Sequence, residues 1–231
     1  MSLQSVPLVQ VGTADRFCQH DRAMYEYYDR NPPYDPARAT LEHTEEGLLV
    51  RRLQQVLAGR QALEIACGSG WATRLVAEVA AGVVATDLSP ARLRLARRRL
   101  PAECRPRVRF QRADAYALEQ VPGTFDAAYA LAWFAHVPRE RHQLFLDGLH
   151  QRVGRGGRIF LADERFNIGV DLECPGEPDH YELRCLDGGE RYPIIDNKFG
   201  EAELRRIFAP GTRDLVVHLG KDYWWLDYTI A

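Results

Sequence analysis

The sequence lacks any long apolar run, and none approaches the roughly 18 consecutive residues that a membrane-spanning helix needs. It also lacks the basic segment followed by an apolar core that marks a secretory signal, so we expect a cytoplasmic protein. Charge of one sign does not dominate, because the formal net charge is −2. That balance argues against a basic surface that would bind nucleic acid or an anionic membrane.

Cysteine offers neither a disulfide framework nor a zinc site. The number of cysteines is odd, no two have C-x-x-C spacing, and they stand at Cys18, Cys67, Cys104, Cys174 and Cys185. The pattern favours a reducing compartment, with cysteine used as a small apolar residue. The acidic stretch from Asp171 to Glu177 has no recognisable metal spacing. We therefore predict no metal.

A length of 231 residues suits one sizeable α/β domain. Five apolar segments read as strands, at residues 62–67, 83–88, 108–113, 125–131 and 158–162. Segments with helical spacing separate most of them. Strands that alternate with helices predict a parallel sheet built by right-handed crossovers.

The pattern changes after Asp163. Residues 181–185 alternate, a glycine turn follows, and residues 191–195 read as a return strand, so we predict a hairpin. Two further apolar runs, 215–219 and 223–230, are joined by three residues. Such a short link permits only antiparallel pairing.

The most informative stretch is Leu-Glu-Ile-Ala-Cys-Gly-Ser-Gly at residues 63–70. It predicts a buried strand that enters a glycine turn before a helix, an arrangement that binds a nucleoside-containing cofactor through its backbone. Glu64 inside that strand suggests a cofactor that carries positive charge, and S-adenosylmethionine fits. The alternative is a carboxylate bound to neighbouring backbone amides. Thr73 occupies the third glycine position of a dinucleotide fingerprint, which disfavours NAD.

Two more acids end the next strands. Asp87 is placed to accept both ribose hydroxyls, with a simple helix cap as the alternative. Asp114 is placed to accept a hydrogen bond from an adenine amino group, with a loop cap as the alternative. Because ligands of such sheets bind outside the carboxyl ends of the strands, Glu64, Asp87 and Asp114 are expected to share one rim.

With these motifs, the chain resembles the class I S-adenosylmethionine-dependent methyltransferases over about residues 45–231. Residues 63–70, 85–90 and 113–115 are similar to the first three family motifs. The resemblance implies a Rossmann-like seven-stranded sheet of order 3-2-1-4-5-7-6, with strand 7 antiparallel. It also implies an N-terminal helical lid over residues 1–44 and a β-hairpin insertion after strand 5, at about 164–200.

The resemblance further implies S-adenosylmethionine as cofactor and S-adenosylhomocysteine as product. The residues expected to bind the cofactor are Tyr28, Glu64, Ala66, Gly68, Ser69, Gly70, Asp87, Leu88, Asp114, Ala115 and Leu131.

Catalytic candidates follow strands four and five. His136 is the first candidate for a general base, and a loop histidine bonded to backbone is the alternative. Asp163, or Glu164 beside it, could position a substrate hydroxyl or amine, unless these acids are solvated loop residues. Trp133 and Phe166 are expected to line the substrate pocket.

The resemblance, which is to bacterial members that act on small molecules, implies transfer of a methyl group to an oxygen or nitrogen of a small organic acceptor in bacterial specialised metabolism. Neither nucleic acid nor membrane is an expected partner, and a homodimer is possible. Three alternatives stay open: a protein that uses the bound sulfonium for other chemistry, a noncatalytic binding subunit, and a nicotinamide oxidoreductase.

Overall fold

The computed structural model describes residues 13–31, 44–174 and 176–231. The predicted lid over residues 1–44 therefore lies partly outside the described residues. Its described part is a helix that begins in a stretch where the sequence shows no clear period. The helices are α1 (Thr13–Arg30), α2 (Glu45–Leu57), α3 (Trp71–Ala77), α4 (Pro90–Arg99), α5 (His142–Val153) and α6 (Glu201–Phe208).

Ten strands form two sheets within these residues. Their bounds are β1 (Gln61–Glu64), β2 (Gly82–Asp87), β3 (Val108–Arg112), β4 (Ala127–Leu131), β5 (Arg158–Glu164), β6 (Val170–Leu172), β7 (Tyr181–Cys185), β8 (Arg191–Ile195), β9 (Thr212–Leu219) and β10 (Tyr223–Ile230).

The large sheet has the order β3-β2-β1-β4-β5-β10-β9. Strands β1 to β5 pair in parallel, whereas β10 pairs antiparallel with both β5 and β9. Once strands are counted within this sheet alone, the order is the predicted 3-2-1-4-5-7-6, with strand 7 antiparallel. The predicted fold class is therefore confirmed.

Strand β5 is longer than predicted. The sequence interpretation ended this strand at Ala162 and placed Asp163 and Glu164 in the loop beyond it. Both residues instead belong to β5, because Asp163 pairs with Trp224 and Glu164 with Tyr223 of β10. The partner strand extends β5, and the sequence of β5 alone does not show this.

The insertion after β5 forms the small antiparallel sheet β6-β7-β8. Its hairpin, β7 and β8, has the predicted bounds. Strand β6 was not predicted, since three mostly exposed residues carry no alternating pattern.

The core lies on both faces of the large sheet. Trp224 packs in one cluster with residues of α5 and α6, including Phe145 and Phe208. Trp225 packs in the other cluster with residues of α2 and α3, including Leu53 and Val76. Adjacent strand residues point to opposite faces, so the two tryptophans join one strand to both helical layers.

Side-chain hydrogen bonds define where two of the helices begin. Thr44 caps α2 by accepting a hydrogen bond from Gly47 N at 3.1 Å, and Ser89 caps α4 by accepting one from Arg92 N at 3.1 Å. No helix in the described part of the chain is long and apolar enough to cross a membrane.

Candidate active site

The turn after β1 has an unusual backbone. Ala66 and Gly68 each have φ of 53°, and Gly70 has φ of 82°. A Cβ on Gly70 would lie 2.8 Å from the Cβ of Ala96, so Gly70 permits close packing of α3 on α4. A Cβ on Gly68 would meet nothing within 4 Å. Gly68 is thus favoured by its backbone conformation and leaves open space beside the turn.

Glu64 ends β1 and is 2 % exposed. The hydroxyl of Thr73 donates a hydrogen bond to its Oε2 at 2.5 Å. Burial raises the pKa of Glu64 to about 7, although the hydroxyls of Thr73 and Tyr129 favour the charged form. Among the described residues, the Glu64 carboxyl accepts this hydrogen bond from a side-chain hydroxyl. The alternative interpretation had expected backbone amides as its partners.

Asp87 ends β2 and uses both oxygens to fix two turns. Its Oδ2 accepts a hydrogen bond from Gly68 N at 2.8 Å, and its Oδ1 accepts one from Ser89 N at 2.8 Å. Burial raises the pKa of Asp87, and the two backbone N–H groups and Arg92 oppose this rise. Each oxygen keeps a second lone pair, so a ligand diol can still be accepted.

Asp114 follows β3, and its Oδ1 accepts a hydrogen bond from Tyr116 N at 2.9 Å. It therefore caps the loop, as the alternative interpretation required. It also lines the cavity described next, so the cap leaves the ligand role open.

A cavity of about 370 Å³ lies at the carboxyl ends of β1 to β5. All but two of the predicted site residues line it. They are Tyr28, Glu64, Ala66, Gly68, Ser69, Asp87, Leu88, Asp114, Ala115, Leu131, Trp133, His136 and Asp163. The structure thus brings the three strand-end acids and both catalytic candidates to one crevice.

Gly70 and Phe166 do not line this cavity. Gly70 is the residue before the first turn of α3, and it packs against Ala96 of α4. Phe166 is 44 % exposed and packs edge-on against Tyr223, with ring centroids 6.0 Å apart. Because β5 continues through Glu164, Phe166 stands beyond the rim, although Tyr223 itself lines the cavity.

His136 lies in a short 3-10 turn and is held at both ring nitrogens. Nδ1 is 2.6 Å from the carbonyl oxygen of Ile195, and Nε2 is 2.7 Å from the hydroxyl of Tyr28. A carbonyl only accepts, so Nδ1 carries the hydrogen of the neutral ring and Nε2 accepts from Tyr28. The backbone contact of the alternative interpretation and the contact with a cavity residue are therefore both present.

Tyr28 is itself held by the insertion. Arg184 of β7 donates a hydrogen bond to the Tyr28 oxygen and lies over the rings of Tyr27 and Tyr28, 5.8 Å from each centroid. Burial raises the pKa of Tyr28, and Arg184 opposes the rise. A single line of contacts therefore joins α1, the small sheet and His136.

Asp163 and Glu164 line the cavity beside His136. Oδ2 of Asp163 accepts a hydrogen bond from Ala135 N at 2.8 Å, which fixes the turn that carries His136. Burial raises the pKa of both carboxyls. Asp163 is 3 % exposed, which excludes the alternative of a solvated loop acid for this residue.

Residues 62–157 match the family described as "Methyltransferase domain". Over 186 residues the chain is 31 % identical to methyltransferase GfsG of Streptomyces halstedii, covering 78 % of this chain and 66 % of that protein. The chain belongs to the class I S-adenosylmethionine-dependent methyltransferases. The family predicted from the sequence, and the cofactor that the family uses, are therefore confirmed.

Other relatives of this methyltransferase chain are more distant. It is 29 % identical to the ubiquinone biosynthesis O-methyltransferase of Dechloromonas aromatica, over 60 % of this chain and 57 % of that one. The chain thus spans about two thirds or less of the length of these relatives. The solved DhpI–SAH complex shares the fold at a TM-score of 0.73 and 23 % identity, covering 93 % of this chain and 98 % of that chain.

The methyltransferase site fits S-adenosylmethionine on two observations. The turn at Gly68 leaves open space where a side chain would otherwise stand. Three carboxyl groups at successive strand ends keep acceptor capacity toward the same cavity. Among the described residues, no group of three or more His, Cys, Asp or Glu side chains is placed to hold a metal ion.

Two functional features escaped the sequence interpretation. Thr73 was read only as a missing glycine, yet it holds Glu64. Arg184 was part of an alternating strand pattern, yet it is 2 % exposed and holds Tyr28. The alternation of Tyr181, Leu183 and Cys185 predicts that Arg184 lies on the polar face of the hairpin, so the sequence carried no signal for its burial.

Proposed function

We propose that the chain transfers a methyl group from S-adenosylmethionine to an oxygen or nitrogen of a small organic acceptor, in bacterial specialised metabolism. The observation that carries the proposal is that three strand-end acids and the pair His136 and Asp163 line one cavity. One end suits the cofactor and the other offers polar groups for an acceptor.

The cofactor end consists of the turn after β1 and the two following strand ends. We assign Glu64 to the cationic methionine portion, Asp87 to the ribose hydroxyls and Asp114 to the adenine amino group. Backbone and apolar contacts come from Ala66, Gly68, Ser69, Leu88, Ala115 and Leu131. Gly70 acts on this end indirectly, through the packing of α3 on α4.

When bound, S-adenosylmethionine supplies a methyl group already activated by its sulfonium. The protein therefore acts mainly by alignment, which can lower a barrier by about 7–11 kcal/mol. Helix α1 contributes Met24, Tyr25 and Tyr28 to the cavity wall. It thereby excludes water from the acceptor end.

Proton removal passes through Tyr28 in this proposal. Nε2 of His136 already accepts the Tyr28 hydroxyl, so an acceptor reaches the base most directly through the Tyr28 oxygen. That oxygen takes the acceptor proton while its own proton moves to Nε2. The hydrogen bond from Nδ1 to the carbonyl of Ile195 then stabilises the imidazolium.

The remaining predictions concern the setting of the enzyme. Trp133 lines the acceptor end, whereas Phe166 is assigned to its outer rim, next to Tyr223. A small-molecule acceptor, a cytoplasmic location and the absence of a nucleic-acid partner stay predictions. Light scattering of the purified chain tests the homodimer.

The test is an incubation with methyl-labelled S-adenosylmethionine and a panel of alcohols, phenols and amines, followed by mass spectrometry. A labelled product that is one methylene heavier supports the proposal. Cofactor binding with a different product would favour other sulfonium chemistry, and binding without turnover on any acceptor would favour a noncatalytic subunit. A chain that does not bind the cofactor overturns the proposal.

A further inference from the structure

A mostly buried group of four charged residues stands behind the acceptor end; we call Glu182, Arg184, Asp196 and Lys198 the insertion quartet. Nη2 of Arg184 lies 3.0 Å from Oδ2 of Asp196, and its Nε lies 3.3 Å from Oε2 of Glu182. Nζ of Lys198 lies 3.2 Å from Glu182 and 2.7 Å from Asp196. Two cations thus neutralise two carboxylates.

Asp163 and Glu164 border this quartet but are not members of its ion pairs. Neither forms an ion pair with a described residue, and Oδ1 of Asp163 has no hydrogen-bond partner among them. Both side chains line the cavity. Burial raises the pKa of both carboxyls, whereas Lys198 opposes the rise at both and Arg184 opposes it at Glu164. Because both of these cations are already paired with Glu182 and Asp196, a cationic ligand would complete the charge balance at Asp163 and Glu164.

The same end of the cavity has aromatic walls. Tyr28 and Tyr223 line the cavity beside the two carboxyls, since Tyr223 pairs with Glu164 across the sheet and Tyr28 bonds His136. Aromatic faces attract cations, and the attraction is larger where water is excluded. Carboxyls outside the ion pairs of the quartet and aromatic rings therefore favour the same kind of ligand.

We propose that the acceptor is a small primary or secondary amine that binds as an ammonium ion at Asp163 and Glu164. This inference rests on the proposed methyl transfer and narrows it to nitrogen. The ammonium completes the charge balance at the two carboxyls, while the insertion quartet remains neutral.

The chemistry balances without a further reactant. The bound ammonium gives one proton to the Tyr28 oxygen as the Tyr28 proton moves to Nε2 of His136, which leaves a lone pair on nitrogen. A nitrogen–carbon bond forms to the methyl group as the carbon–sulfur bond breaks, and the electron pair of the broken bond stays on sulfur. The products are a protonated methylamine and S-adenosylhomocysteine, and His136 returns its proton to water.

Calorimetry tests the inference on the chain saturated with S-adenosylhomocysteine, with benzylamine, benzyl alcohol and benzoate as probes of equal ring size. We expect benzylamine to bind about tenfold more tightly than benzyl alcohol, and benzoate to bind least. Glu164→Gln and Asp163→Asn should each weaken benzylamine about tenfold and leave benzyl alcohol unchanged. Glu173→Gln, at an exposed carboxyl of the same insertion, is the matched control and should change neither.

Benzoate or benzyl alcohol binding as tightly as benzylamine overturns the inference, and so does the absence of benzylamine binding. An equal loss for benzylamine and benzyl alcohol in Glu164→Gln does the same. Failure of S-adenosylhomocysteine to bind would instead contradict the proposed function. Methylation of alcohols or phenols in preference to amines would contradict the amine assignment and leave the proposed function standing.

Discussion

The hydroxyl of Thr73 lies 2.5 Å from Oε2 of Glu64 and so joins the first turn of α3 to the end of β1. The carboxyl is buried, and this donor favours its charged form. The residue that departs from a dinucleotide fingerprint is thus the residue that bonds the carboxyl we assign to the cationic end of the cofactor.

We predict that Thr73→Val weakens binding of S-adenosylmethionine about tenfold near pH 7.5. The reason is that ionised Glu64 loses a hydrogen bond to a charged group, which is worth about 1.5–3 kcal/mol. Calorimetry measures the affinity. Thr73→Ser keeps the hydroxyl and should bind like the wild type, and equal affinity for Val and Ser would contradict the assignment.

Glu64 should make the stability of the cofactor-free chain depend on pH. Its pKa is about 7 in the folded chain, against an ordinary value of 4.5. The folded chain therefore binds more protons between these values, and stability falls as pH rises from 4.5 through 7. Glu64→Gln removes this loss and should stabilise the chain by up to about 3 kcal/mol at pH 8, with little effect at pH 4.

Urea denaturation at both pH values measures this difference. Glu103→Gln changes an exposed carboxyl and is the control. A Glu64→Gln gain of the same size at pH 4 and pH 8 would show that titration of Glu64 is not its source.

Asp87→Ala should weaken cofactor binding by about 1.5–3 kcal/mol, the range for a hydrogen bond to a charged group. Part of this loss comes from the turn at Gly68, whose N–H also bonds Asp87. Ser89→Ala removes the helix cap without removing a ligand acceptor, and separates cap loss from ligand loss. Unchanged affinity in Asp87→Ala would remove this residue from the site.

His136→Ala should lower kcat by about 10²–10⁴-fold and leave cofactor affinity nearly intact. Tyr28→Phe keeps the ring over the cavity but removes the hydroxyl between acceptor and base, so it should lower kcat to a similar extent. Steady-state kinetics and cofactor titration measure the two effects. Full turnover in Tyr28→Phe with loss in His136→Ala would mean that the acceptor reaches His136 without Tyr28.

Arg184→Met should destabilise the chain by about 3–5 kcal/mol, because it leaves two buried carboxylates with Lys198 as their one remaining cation. Arg22→Met breaks an exposed ion pair with Glu26 and should cost less than about 1 kcal/mol. Denaturant midpoints compare the variants. A small effect for Arg184→Met would mean that Lys198 alone compensates the charge of Glu182 and Asp196.

The sequence was enough to predict the sheet and the three acids on its rim. Alternation of strands and helices fixes parallel pairing, and parallel strands end at one edge. Glu64, Asp87 and Asp114 therefore had to converge wherever the exact strand ends fell. The three-residue link before Tyr223 likewise required the antiparallel strand.

The acceptor end could not be predicted in the same way. Tyr28 and His136 are 108 positions apart, and no local pattern connects them. The extent of β5 depends on its pairing with β10, so Asp163 and Glu164 were placed in a loop. The balance of charge around Asp163 depends on the packing of a separate sheet, which no spacing in the sequence reveals.

The contacts between α1 and the small sheet have a consequence for engineering. Arg30 bonds Glu190 and, at 2.9 Å, the hydroxyl of Tyr192, while Tyr28 bonds Arg184. A chimera that takes only α1, or only the insertion, from a homologue would have the native residues on one side of these hydrogen bonds and foreign residues on the other. Exchanging both segments together should therefore change the range of acceptors while leaving the cofactor end of the cavity unchanged.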